Sequence, residues 1–282
     1  MVSRMPSPHR SEDLTVHRFG RTEADAPTLL LLHGLTDSGR CWPDAVARWQ
    51  DDYRVLAWDA RGHGESERFT DEELAAGVGE THLADIVDVL ETLRDEGTPL
   101  PVLVGLSMGG GTAAAVAGAR PDLLRATVLE DPVLGGGRFS DELAAELAER
   151  RVQEKQAALD DPEGTLADGR REHPAWPESE YGPWRDAKLQ TDVGVLRDFT
   201  TTVLTPWPEV VAAVAVPSLV VLGRQGIWPA KQIDELREVG NARLEIEIEI
   251  VEDAQHCVRR DQAEAFHALV DPWIAAQLDA AR

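Results

Sequence analysis

Along this chain of 282 residues the spacing of apolar positions changes several times between that of a strand and that of a helix. Thr28 to Leu32 is a run apolar on both faces that ends in His33-Gly34, and Val55 to Trp58 is a second, ending in Asp59-Ala60-Arg61-Gly62-His63-Gly64. Such runs suit strands buried inside a parallel sheet. Thr81 is placed to cap a helix whose apolar residues Leu83, Ile86, Leu90 and Leu93 fall at helical spacing, and Pro101 to Val104 predicts a third buried strand. Met108 to Ala119 reads as a helix of small residues stopped by Pro121, and Ala126 to Leu129 as the next strand. This alternation is the βαβ rhythm of an α/β protein.

Between Pro132 and Val216 the rhythm fails. The segment is helical and charge-rich, too long for a simple connection, and predicts a separate helical layer. Trp176, Tyr181, Trp184 and Trp207 concentrate there, although aromatics make up only 5% of the chain. Strand patterns resume at Pro217 to Leu222 and at Leu244 to Val251, where alternating Leu/Ile and Glu point to a strand near an edge. A last helix from Gln262 turns Phe266, Leu269, Ile274 and Leu278 inward. The expected division is a core formed by 1–132 and 216–282 with a helical insertion at 133–215, and the polar stretch Met1 to Asp13 reads as a loose tail.

Charge narrows the function classes. Fifty-one acidic against 28 basic residues give a net charge of −23, a field that repels phosphate backbones and anionic headgroups. Nucleic-acid and membrane partners are therefore not expected. Lysine is scarce, at 155, 188 and 231 only. No apolar run is long enough to span a bilayer, no secretory signal is visible, and two cysteines are too few for a disulfide framework. The expectation is a cytoplasmic protein with reduced thiols. The histidines and cysteines show no metal-ligand spacing, so neither a metal nor a cofactor is expected.

Gly105-Leu106-Ser107-Met108-Gly109 matches the G-x-S-x-G nucleophile elbow and sits between a predicted strand and a predicted helix, where that turn must lie. Glycines permit the close strand-to-helix approach that lifts the Ser107 hydroxyl above the sheet edge. His33-Gly34-Leu35 opens a loop facing the elbow, so the backbone N–H groups of Leu35 and Met108 can converge on a developing oxyanion. His33 reads as a brace for that loop and His63 as a turn residue. His256, past the last strand pattern, is placed to act as base toward Ser107.

These features together resemble the α/β-hydrolase fold superfamily over nearly the whole chain. The resemblance implies a mostly parallel eight-stranded sheet flanked by helices, with a helical cap inserted after the sixth strand to roof the pocket. It also implies a triad acid after the seventh strand, but that position is Gly226, which cannot orient an imidazole. Asp131 offers a replacement, because a right-handed crossover ends its strand beside the elbow. This placement resembles that of zearalenone-type lactonases. Two readings of Asp131 stand at this point, triad acid or turn residue, with Glu130 the weaker candidate acid.

The resulting expectation is hydrolysis of a small carboxylic ester or lactone by Ser107, His256 and Asp131, with Leu35 and Met108 as oxyanion donors. Trp176, Tyr181, Trp184 and Trp207 are candidate substrate contacts, favouring an apolar or aromatic substrate. A serine nucleophile disfavours dehalogenase and epoxide hydrolase chemistry. Carbon–carbon bond hydrolysis on the same Ser and His, or ligand binding without catalysis, are the competing functions. The oligomeric state is open.

Overall fold

The computed structural model describes residues 2–5, 14–135, 141–197, 205–241 and 246–279. In chain order, strands β1 (Val2–Met5), β2 (Leu14–Gly20) and β3 (Thr28–Leu32) precede helix α1 (Pro43–Trp49) and strand β4 (Arg54–Trp58). Helices α2 (Asp71–Ala76) and α3 (Val78–Asp95) lead to β5 (Val102–Leu106), α4 (Met108–Ala119) and β6 (Ala126–Glu130). Helices α5 (Asp141–Asp160), α6 (Pro162–Glu172), α7 (Glu178–Gln190), α8 (Val193–Arg197) and α9 (Trp207–Ala213) follow. The chain then returns through β7 (Ser218–Gly223), α10 (Ala230–Asn241), β8 (Ile246–Val251), α11 (Val258–Asp261) and α12 (Ala263–Asp279).

Among the described residues the strands form one eight-stranded sheet in the order β1-β2-β4-β3-β5-β6-β7-β8. Only the pairings of β2 with β1 and with β4 are antiparallel. The expected fold is thus the one observed. Alternate residues of the central strands feed two cores. Leu30, Leu32, Leu56 and Leu103 face α3, α4, α9 and α10, whereas Leu29, Leu31, Val55 and Val104 face α1 and α12. Because both faces are covered, strand residues on either face are apolar, which is why these runs show no alternation. β8 is one edge, and its Glu247 and Glu249 are exposed.

Two sequence expectations need correction. Val2–Met5 is not a loose tail but an edge strand paired with β2, with Val2 opposite His17 and Met5 opposite Leu14; Met1 and 6–13 lie outside the described residues. Thr81 does not cap α3, which begins at Val78; its hydroxyl donates to the carbonyl of Gly77 from inside the first turn. The cap sits instead one helix earlier, where Thr70 and Glu73 form a reciprocal capping box for α2. Helices α5 to α9 lie between β6 and β7; Val195 and Leu196 of α8 and Val210 and Val211 of α9 enter the same core, and the Ala215 N–H donates to the carbonyl of Ala117 at the end of α4.

The insertion has a narrow neck. Gly135 adopts φ +103°, and a Cβ there would fall 2.2 Å from the carbonyl oxygen of Thr205, so the chain leaving β6 passes directly against the chain returning to α9. Only glycine fits.

Candidate active site

Ser107 follows β5 at once and holds φ 54° and ψ −112°, a strained conformation for a residue with a side chain. The surroundings over-determine it. A Cβ at Gly105 would lie 2.4 Å from the carbonyl oxygen of Gly109, and one at Gly109 2.1 Å from that of Leu32, so the flanking glycines are required by contact with backbone. The Ser107 N–H donates to the Glu130 carbonyl at 2.9 Å and the Ser107 carbonyl accepts from Val133, which tie the elbow to both sides of Asp131.

The loop after β3 is fixed against the elbow by the Gly109 N–H, which donates to the carbonyl of His33 at 3.1 Å. His33 is the brace expected: its Nε2 accepts from the Ala60 N–H at 3.0 Å, so Nδ1 carries the proton donated to Gly34 O at 2.8 Å. His63 does more than turn the chain. Its Nε2 meets the carbonyl of Leu35 at 2.6 Å, which orients the Leu35 peptide. Burial holds His33, His63 and His82 in the neutral form, each with a pKa near 4. The N–H groups of Leu35 and Met108 meet no acceptor among the described residues.

His256 reaches back from the loop after β8, and its Nδ1 lies 2.7 Å from Oδ2 of Asp131. Asp131 is wholly buried at the end of β6 with φ +37°, and the same Oδ2 accepts from the Ile227 N–H at 2.9 Å. Its Oδ1 has no hydrogen-bond partner among the described residues. A carboxylate so placed can hold the imidazole in one tautomer and balance the charge of the imidazolium. Glu130 points the other way, toward Arg259, whose backbone N–H donates to it at 2.8 Å and whose guanidinium lies 3.5 Å away; burial raises its pKa despite that guanidinium.

Ser107 and His256 open into one cavity of about 670 Å³, lined on the core side by Leu35 and Leu106 and on the side of the insertion by Trp176, Trp184 and Lys188. Of the four aromatic residues singled out from sequence, Trp176 and Trp184 line this cavity. Tyr181 and Trp207 do not. Tyr181 is buried behind Trp176 and donates its hydroxyl to the His173 carbonyl, and Trp207 packs edge-on against Trp228 with ring centroids 5.5 Å apart. Both have partners that suit an aromatic in a core, which is why composition alone did not separate them from the pocket pair.

Sequence reasoning missed a buried ionic cluster beneath the site. Arg260, four residues past His256, binds Glu180 of α7 at 2.7 Å and Asp37 of the oxyanion loop at 3.1 Å, and stacks on Trp176. Burial would raise the pKa of Asp37, but Arg260 and then Arg259 hold it below the usual carboxylate range. The adjacent pair Arg259-Arg260 in so acidic a chain was the available signal. Cys41 and Cys257 are both free thiols; burial raises the pKa of each, that of Cys257 up to about 12, so neither is a ready nucleophile. Among the described residues no cluster of side chains could hold a metal, and no helix is long and apolar enough to cross a membrane.

The chain is similar to several known proteins. Lipase LipV of Mycobacterium tuberculosis is 32% identical over 61% of this chain and 66% of its own length. Protein phosphatase methylesterase 1 of Mus musculus is 36% identical over 38% of this chain and 28% of its own. The chain therefore spans just under two thirds of the first relative and under a third of the second. Among solved structures, the N-formylmaleamic acid deformylase of Pseudomonas putida S16 superposes with a TM-score of 0.75 at 19% identity, covering 96% of this chain and 100% of that one. The enol-lactonase of Burkholderia xenovorans LB400 gives a TM-score of 0.67 at 24% identity, covering 93% and 97%. Both show a shared fold. The profile of the alpha/beta hydrolase family matches residues 29–269, most of the chain, and the chain belongs to that family.

Proposed function

We propose that this chain is a serine hydrolase that cleaves a small carboxylic ester or lactone through an acyl-enzyme on Ser107. The observation that carries the reading is the 2.7 Å contact between His256 and the buried carboxylate of Asp131, with Ser107 and His256 opening into the same cavity. A lipase, a methylesterase and an enol-lactonase among the proteins it resembles are consistent with this bond type.

In the first half-reaction the Ser107 Oγ attacks the carbonyl carbon while the His256 Nε2 takes its proton. The oxyanion that forms accepts from the N–H groups of Leu35 and Met108, and Asp131 balances the imidazolium through Nδ1. Collapse expels the alkoxide, which takes the proton from His256; in a lactone the alkoxide stays tethered to the acyl group. Water then gives a proton to His256 and attacks the acyl carbon, and release of the acid returns the proton to Ser107. Trp176 and Trp184 supply the apolar or aromatic contact for the substrate. Helices α5 to α8 serve as the cap, so the core of 1–132 and 216–282 also takes in α9.

The test is a fluorophosphonate label followed by peptide mass spectrometry. Adduct on Ser107, absent in Ser107→Ala and slowed in His256→Ala, supports the mechanism. Ester turnover that survives Ser107→Ala in pure protein refutes it.

A further inference from the structure

The cavity carries more charge than a neutral ester needs, and nearly all of it is internally balanced. Its lining carboxylates each have a cation: Glu154 accepts from Arg150 at 2.9 Å and lies 3.5 Å from Arg151, Asp37 is held by Arg260, and Asp168 and Glu172 both meet Arg171. Of the lining cations, Arg150, Arg151 and Arg260 are accounted for by those pairs. Lys188 is left over. No carboxylate or hydrogen-bond acceptor among the described residues meets its ammonium, which sits over the face of Trp184 at 4.6 Å. In a chain with 51 acidic residues against 28 basic ones, a cavity lysine that makes no ion pair among the described residues, with Glu154 and Asp37 acting on it only at a distance, calls for an explanation.

Its platform is rigid. Near the start of α7, Glu180 is clamped by Arg260, and near its end the Lys155 ammonium donates to the carbonyls of Leu189 at 2.7 Å and of Lys188 itself at 3.3 Å. The stem of Lys188 therefore leaves a helix fixed at both ends. Burial holds its ammonium below the usual lysine range, a penalty that an incoming anion would reverse.

We infer that Lys188 anchors a carboxylate on the substrate, remote from the bond cleaved, while Trp176 and Trp184 hold the apolar part between the two ends. The inference rests on the serine-hydrolase reading and narrows it to half-esters, carboxylated lactones and similar acids. A charge-assisted hydrogen bond in a partly enclosed cavity discriminates by about tenfold or more. Because the net charge of −23 repels anions at a distance, a preference for an anionic ester would have to arise locally.

The experiment compares kcat/KM for mono-4-nitrophenyl glutarate with that for neutral 4-nitrophenyl butyrate. The wild-type ratio should favour the glutarate by about tenfold or more, Lys188→Met should lower the ratio by a similar factor, mainly through KM, and Lys188→Arg should retain most of it. A wild-type ratio near one, or a ratio untouched by Lys188→Met in folded protein, overturns the inference while Ser107-dependent turnover of butyrate leaves the hydrolase reading standing. If neither ester is turned over through Ser107, that reading fails, and the anchor is judged separately by calorimetry of monophenyl glutarate with the Ser107→Ala protein. Binding weakened about tenfold by adding Lys188→Met supports the anchor, and absent or unchanged binding refutes it.

Discussion

A Cβ built on Gly226 would lie 2.5 Å from Oδ2 of Asp131, the oxygen that also meets His256. The two possible seats for an acid are therefore one volume, and occupation of it from β6 excludes any side chain from the loop after β7. Glycine at 226 is thus the steric complement of Asp131.

Asp131→Asn should lower kcat by about 10⁴, since an amide can favour the wrong tautomer and cannot balance the imidazolium. Gly226→Ala should cost about 10² by pushing the Asp131 carboxylate off His256. A side chain placed at 226 cannot be without effect while Asp131 stands, because its Cβ would fall on that carboxylate. Gly226→Asp should impair the parent and yet raise turnover in an Asp131→Gly background, as steady-state kinetics on the four proteins would show. A harmless Asp131→Asn would leave Asp131 as a turn residue.

Ser107 stores backbone strain that glycine releases and alanine does not. Ser107→Gly and Ser107→Ala should both be inactive, but the glycine variant should be the more stable of the two by roughly 1–2 kcal/mol in urea unfolding. Equal unfolding midpoints would mean that the elbow is unstrained.

Glu180 links α7 to Arg260 and so to the loops carrying Leu35 and His256. Glu180→Ala removes one carboxylate from a fully buried guanidinium and should destabilise the fold by about 3 kcal/mol in urea titration. It should also raise KM for any substrate that contacts Trp176, because Arg260 stacks on that ring. A change in stability without a change in KM would show that the cluster holds the core but not the pocket.

The neutral histidines set an acid limit. His33, His63 and His82 titrate near 4 in the fold, against about 6.5 when unfolded, so the unfolded chain binds more protons between those values. Their contribution is complete above pH 6.5 and is lost as pH falls toward 4. The buried carboxyls Glu130 and Asp85, which are held above the usual range, work in the opposite sense. Unfolding free energy should still decline between pH 6.5 and 5, and His82→Gln, which keeps a donor for the Arg61 carbonyl, should flatten the slope. A flat profile in the parent would contradict the depressed values.

The buried strands and the elbow were legible because their constraints are local: β3 and β4 are apolar on both faces, and the elbow needs glycine at fixed offsets from Ser107. The β2 segment was not, because Thr15, His17 and Arg18 are polar. Thr15 and His17 are nevertheless buried, with the Thr15 N–H donating to Ser66 and His17 paired to Asp59 from 42 residues away. The same distance problem hid the link from Arg260 to Asp37. It also left Tyr181 and Trp207 indistinguishable from Trp176 and Trp184, since which face of a helix meets a cavity is settled by packing.

The neck at Gly135 and Thr205 bears on how such a protein can change its clientele. Because the outgoing and returning chain touch there, everything between them is an appendage on one short stalk, the arrangement that tolerates insertion and replacement best. Ser107, Asp131 and His256 all lie outside the appendage, whereas Trp176, Trp184 and Lys188 lie within it. On the proposed division of roles, selection, or an engineer, can transplant the recognising half as one cassette and leave the reacting half untouched. The ties that must be rebuilt with each transplant include the grip of residue 180 on Arg260, the hydrogen bond from Trp176 to Asp261 and that from the Asp192 N–H to the Gly62 carbonyl.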